Sequence, residues 1–106
     1  MIREAKLEDA QAIQNLICFY SEDGKMLFRT LAEIEENIAD FLVYEKSNEV
    51  IGICSLKFGW DRLVEIRSLG VDPRFHRQGI ATKMIQGSVE RALRKDNCDT
   101  AFVLTY

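Results

Sequence analysis

The 106-residue chain has little proline (Pro73 alone), one histidine (His76), one tryptophan (Trp60) and three cysteines. Cys18, Cys54 and Cys98 are odd in number, far apart and never spaced as Cys-x-x-Cys, which argues against a disulfide framework and against a metal site. Long apolar runs are missing as well. None approaches the ~20 residues of a membrane span, and the N-terminus MIREAKLEDA is charged from its third residue, unlike a secretion signal. There is no excess of basic charge: 14 Lys and Arg stand against 17 Asp and Glu, which speaks against general nucleic-acid binding. These absences lead us to expect a cytoplasmic protein with no metal and no membrane or nucleic-acid partner. What is present is a 47% apolar, 29% charged chain with six glycines, the composition of a folded domain. At this length one domain over residues 1–106 fits, and a second does not.

The charge is unevenly spread. Residues 1–71 carry net −5, residues 72–95 carry +4, and residues 96–106 carry −2. A positive stretch in an acidic chain suggests a local anion site, and a solvated basic helix face is the competing reading.

Periodicity gives a coarse map. Residues 1–5 suit an edge strand. Ile13, Leu16, Ile17 and Tyr20 fall on one face of a helix over residues 8–20. Thr30 and Glu33 form a capping box before a second apolar stripe of Leu31, Ile34, Ile38 and Phe41. Residues 41–45 and 50–58 read as a hairpin, and residues 59–62 turn the chain into a strand over residues 63–71. Strict alternation places Glu65, Arg67, Leu69 and Val71 on one face of that strand. A helix over residues 80–95 and a strand over residues 101–106 follow. The expected fold class is α/β (α+β), with order β-α-α-β-β-β-α-β around a mixed sheet.

The chemistry concentrates where the third long strand gives way to the last helix. Asp72-Pro73 ends the strand, and His76-Arg77-Gln78-Gly79-Ile80-Ala81-Thr82 opens the helix. Free N–H groups and the dipole at a helix N-terminus suit phosphate oxygens. Gly79 and Ala81 keep side chains out of the way, while Arg74, Arg77 and His76 add donors. No Gly-Lys-Ser/Thr and no GxGxxG is present, so neither NTP hydrolysis nor a dinucleotide fingerprint is supported.

This segment resembles the acetyl-CoA loop of the GNAT N-acetyltransferase superfamily. That pattern is Gln/Arg-x-x-Gly-x-Gly/Ala after a strand ending Leu-x-Val-x-Pro. It falls here on His76-Arg77-Gln78-Gly79-Ile80-Ala81, preceded by Leu69, Val71 and Pro73, with His76 at the usual Gln/Arg position. Stretches such as Leu27-Phe28-Arg29-Thr30-Leu31, Glu65-Ile66-Arg67-Ser68-Leu69 and Leu104-Thr105-Tyr106 resemble the short, kinase-free N-acetylglutamate synthase type. The resemblance implies transfer of acetyl from acetyl-CoA, as cosubstrate, to the α-amine of L-glutamate, a step of arginine biosynthesis. It implies cofactor contacts by Leu69, Gly70, Val71, His76, Arg77, Gln78, Gly79, Ile80, Ala81 and Thr82, with backbone N–H groups near Leu69 and Val71 polarising the thioester. The family fold continues past the last strand with a helix and two strands that this sequence lacks, so the final strand is expected to be an apolar edge, covered by a partner such as a second copy if the chain is not a fragment.

Glu65 is the candidate general base, because alternation sets it on the face of Leu69 and Val71; otherwise it is an ion-pair partner of Arg67 or Lys57. A dicarboxylate substrate calls for a cationic pocket; the resemblance implies Arg29 and Lys57 for it, and Arg67, on the face of Glu65, is the third candidate. Symmetric pairing across residues 59–62 would set Lys57 opposite Val64 and away from Glu65, and one bulge would reverse that. Cys54 reads as a packing residue rather than a nucleophile. Tyr106, the last residue, reads as frayed rather than as a general acid. A different amine acceptor and a non-catalytic acyl-CoA-binding module remain the competing functions.

Overall fold

The computed structural model describes residues 1–58, 64–95 and 102–104. The turn expected at residues 59–62 with Trp60, the loop at residues 96–99 with Cys98, and Tyr106 lie outside them. The expected order is observed: β1 (Ile2–Glu4), α1 (Ala10–Glu22), α2 (Leu31–Glu36), β2 (Phe41–Lys46), β3 (Glu49–Phe58), β4 (Val64–Val71), α3 (Ile80–Lys95) and β5 (Phe102–Leu104). The strands lie in sequence order in one mixed sheet. Those from β1 to β4 pair antiparallel, and β5 runs parallel to β4.

The sheet separates two cores. Ile13 and Ile17 of α1 and Ile34 of α2 pack on Phe41, Val43 and Ile53. On the other face, Ile80 and Met84 of α3 meet Leu42, Cys54, Leu56 and Ile66. Alternate residues of β2 and β3 thus serve opposite cores, the pattern of strands buried on both faces. Each such fully buried side chain contributes roughly 1.5–3 kcal/mol of transfer free energy.

Local chemistry sets the boundaries. Thr30 Oγ1 accepts the Glu33 N–H at 3.2 Å, capping α2. The Glu33 carboxylate meets the Thr30 hydroxyl instead of its N–H, so the expected capping box is half formed. The second apolar stripe overruns its helix. Asn37 Nδ2 donates to Glu33 O at 2.8 Å and α2 stops at Glu36, so Ile38 sits in a 3-10 turn and Phe41 opens β2. The β2–β3 hairpin closes through Ser47 and Asn48, both at positive φ (52° and 63°), as a two-residue turn matched to strand twist requires.

Two register slips shape the sheet. One lies between Tyr44 and Glu45, leaving Ile51 unopposed. The other sets Cys54 against both Ser68 and Leu69, with Ser68 at φ 51°. This β4 bulge overturns the strict alternation expected there. Leu69 and Val71 pack into the α3 core, whereas a Cβ at Gly70 would meet Tyr20 and Met26 on the opposite face. Glu65 and Arg67 therefore do not share a face with Leu69 and Val71, because the extra residue inverts the pleat.

The first strand is tied to α1 by charge. Arg3 grips both oxygens of buried Asp9 (2.8 and 3.0 Å), and the Lys6 N–H donates to the same carboxylate at 2.7 Å. The Arg3 hydrogen bonds hold the Asp9 carboxyl below its usual range, against the opposing effect of burial. A lowered folded-state pKa adds stability above the ordinary carboxylate range and loses it as pH falls through the folded value. Asp9→Asn should cost about 3 kcal/mol at neutral pH, and its deficit should narrow below pH about 4. Urea titrations at several pH values check this; a deficit independent of pH would refute it.

Candidate functional site

Two clefts open along β4, one on each side of the bulge. The first, of about 520 Å³, is walled by Leu69, Gly70 and Val71 on the strand and by Gly79, Ile80, Ala81 and Thr82 at the start of α3. His76 and Arg77 line it from the intervening loop, and Tyr20 and Phe75 complete it. Of the residues expected at a cofactor, Gln78 alone is not among its walls.

Peptide N–H groups at the start of α3 border this cleft. The first intrahelical bond runs from Lys83 N–H to Gly79 O (3.0 Å), so the N–H groups of Ile80, Ala81 and Thr82 have no acceptor within the helix. Arg77 and Gly79 both take positive φ (65° and 75°) to turn the chain there. Gly79 is needed for that backbone conformation. A Cβ on it would meet nothing within 4 Å, so the space above it is open.

The strand wall offers peptide groups. Asp72 N–H donates to Ile51 O at 2.7 Å, so by antiparallel alternation the N–H and C=O of Val71 point away from β3. Described pairing of β4 with β5 ends at Ile66 and Leu104, while β4 continues to Val71. The Val71 carbonyl accepts from the Tyr20 hydroxyl, with His76 Nε2 at 3.1 Å. Tyr20 carries no sequence signal beyond its place on an apolar helical stripe. Its role depends on a contact 51 residues away.

The second cleft, of about 610 Å³, brings together Arg29, Lys57, Glu65 and Arg67, with Glu33, Asp40, Ser55 and Ser68 around them. Observed register pairs Lys57 directly with Glu65, so symmetric pairing with Val64 is corrected. Pairing of Phe58 with Val64 leaves five residues between the strands where symmetry assumed four, and the lysine joins the glutamate's face. Arg67 Nε donates to Glu65 Oε2 at 2.7 Å. Arg29 lies over the Phe41 ring at 5.3 Å and reaches Ser55 Oγ at 3.4 Å. Burial and then the nearby Arg67 charge lower the Arg29 pKa, the mark of a cation held where an anion would be welcome. Among the described residues neither Arg29 nor Lys57 forms an ion pair. Three cations and three carboxylates line this cleft, a distribution suited to a zwitterion.

Cys54 is fully buried with its thiol 3.3 Å from Ser88 Oγ, and burial pushes its pKa up. It is a packing residue there. Cys18 is half-buried in α1. Among the described residues no cluster of His, Cys, Asp and Glu has the makings of a metal site, and no helix is long and apolar enough to cross a membrane.

The sequence profile of the acetyltransferase (GNAT) family matches residues 7–106. The chain belongs to that family. It is 38% identical over 104 residues to an uncharacterized N-acetyltransferase of Chlorobaculum tepidum, covering 98% of this chain and 66% of that protein. It is 31% identical over 110 residues to the amino-acid acetyltransferase of Mycobacterium tuberculosis, covering 100% of this chain and 62% of that one. Among solved structures, N-acetylglutamate synthase from Neisseria gonorrhoeae, complexed with coenzyme A and N-acetyl-glutamate, superposes with a TM-score of 0.83 at 27% identity. That match covers 87% of this chain and 22% of the synthase. The chain thus spans a little under two-thirds of the two curated relatives and less than a quarter of the synthase.

The bulge that divides the clefts should resist substitution in a specific way. Ser68 holds φ 51° while buried, a conformation that a β-branched residue tolerates poorly. Ser68→Val should cost about 2 kcal/mol, whereas Ser68→Gly should cost less. Thermal unfolding of the pair checks this; a valine variant as stable as the glycine one would show the strand to be regular.

Proposed function

We propose that this chain carries the acyl-CoA site and part of the acceptor site of an N-acetyltransferase that acetylates the α-amine of an amino acid, with L-glutamate as the acceptor. The observation that carries this reading is the single β4 bulge with an anion-receptive cleft on one side and the Arg29, Lys57 and Arg67 cleft on the other. Acetyl-CoA supplies an activated thioester and brings a diphosphate. The first cleft has helix N–H groups for the diphosphate, and the outward-facing Val71 N–H for the carbonyl oxygen as charge builds on it.

In the second cleft, glutamate's two carboxylates would fall to Arg29, Arg67 and Lys57, where arginine's fork suits a carboxylate. An α-ammonium is mostly protonated at neutral pH, so its proton must leave before attack. Glu65 is the proposed acceptor, directly or through a water. A substrate carboxylate on Arg67 would release Glu65 from its ion pair. The free amine then attacks the thioester carbonyl, the C–S bond breaks to expel the CoA thiolate, and the surplus proton on nitrogen passes to that thiolate through solvent. A polyamine acceptor fits less well, because it would find partners in the three carboxylates and leave the three cations unmatched, whereas glutamate carries both signs.

Titration of thiol released from acetyl-CoA tests the reading. Release should depend on glutamate. Release with spermidine instead would indicate another amine, and CoA binding without release a non-catalytic module. Arg29→Ala should raise the glutamate KM about tenfold or more and leave the acetyl-CoA KM within about twofold; equal effects would remove Arg29 from acceptor recognition. Gly79→Trp should abolish CoA binding in calorimetry. Gly24→Trp, at a similar φ of 70° and also in open space, should retain it; equal loss would attribute the effect to backbone strain.

A further inference from the structure

Tyr20, Val71 and His76 form a polar triangle at the wall of the first cleft. The single Tyr20 hydroxyl proton is committed to Val71 O, and His76 Nε2 lies 2.9 Å from the tyrosine oxygen and 3.1 Å from Val71 O. The arrangement is consistent only with a proton on Nε2, facing both oxygens. A carbonyl oxygen has two lone pairs, so Tyr20 and His76 together saturate Val71 O. That carbonyl points away from β3 into the cleft, where an acceptor for an amide N–H would be needed.

We propose that Tyr20 and His76 are positioning residues: they cap Val71 O while the cleft is empty, and His76 alone withdraws to let a pantetheine amide N–H take its place. The proposal rests on the reading that this cleft takes CoA. Tyr20 stays because its ring packs against Gly70, where a Cβ would come within 3.2 Å of two ring carbons, and meets Phe19 edge-on at 5.1 Å. His76 moves because it is exposed and sits in the loop before α3. A diphosphate at the helix start gives its N–H a new, charged acceptor.

Pantetheine and CoA therefore respond oppositely to loss of the imidazole. In calorimetric or NMR titrations of the 106-residue chain, His76→Ala should bind pantetheine about threefold more tightly, because an acceptor is freed. The same variant should bind CoA about tenfold more weakly, because a phosphate contact is lost. His76→Gln, whose amide can serve either acceptor, should stay within about twofold of the wild type for both. Pantetheine affinity that is unchanged, or that falls together with CoA affinity, would overturn the proposal and leave the CoA site standing. No CoA binding by the wild-type chain would overturn both.

Discussion

One extra residue in β4 governs the molecule. By setting Ser68 and Leu69 together against Cys54, the bulge leaves Glu65 and Arg67 at the cleft near α2 and turns Leu69 and Val71 toward α3. Had the pleat run on unbroken, Val71 would have left the α3 core. A bulge costs a regular ladder position and a positive φ at Ser68. The two apolar cores on either side over-determine the strand and hold it in place.

The clefts differ in how they handle charge. Near α3, the attraction for anions is mostly main-chain: peptide groups at the start of a 16-residue helix and the turned-out edge of β4. Peptide dipoles are fixed by the fold and need little reorganisation. Near α2, the charges are side chains of both signs, and the Glu65–Arg67 ion pair is half exposed, where solvent screening keeps it weak enough to exchange for a charged ligand. A rigid seat for one partner and an adaptable one for the other is an arrangement suited to two substrates that must meet in one orientation.

Much of this was legible in the residues. The apolar periodicities of α1 and α3, the Thr30 cap and the β2–β3 turn are local patterns, and the element order followed from them. The loop from Asp72 to Thr82 declared itself because a strand end, a turn and a helix start occur within eleven consecutive residues. Where reading failed, a contact that periodicity does not register had intervened. Phe41 continued a helical stripe but belongs to β2, because Asn37 terminates α2 with its own side chain. Glu65 was assigned by strict alternation to the wrong set of neighbours. Tyr20 looked like one more apolar position of α1.

By itself, then, the sequence determined the order of elements, the helix start after Gly79 and the family, since each rests on residues close together in the chain. Only the tertiary structure decided which side chains share a cleft. The register of β3 with β4 decides whether Lys57 stands beside Glu65, and the bulge in β4 decides which way Val71 faces. Period-two patterning cannot reveal such a slip: the residue that breaks the alternation is stabilised by packing from helices dozens of positions away.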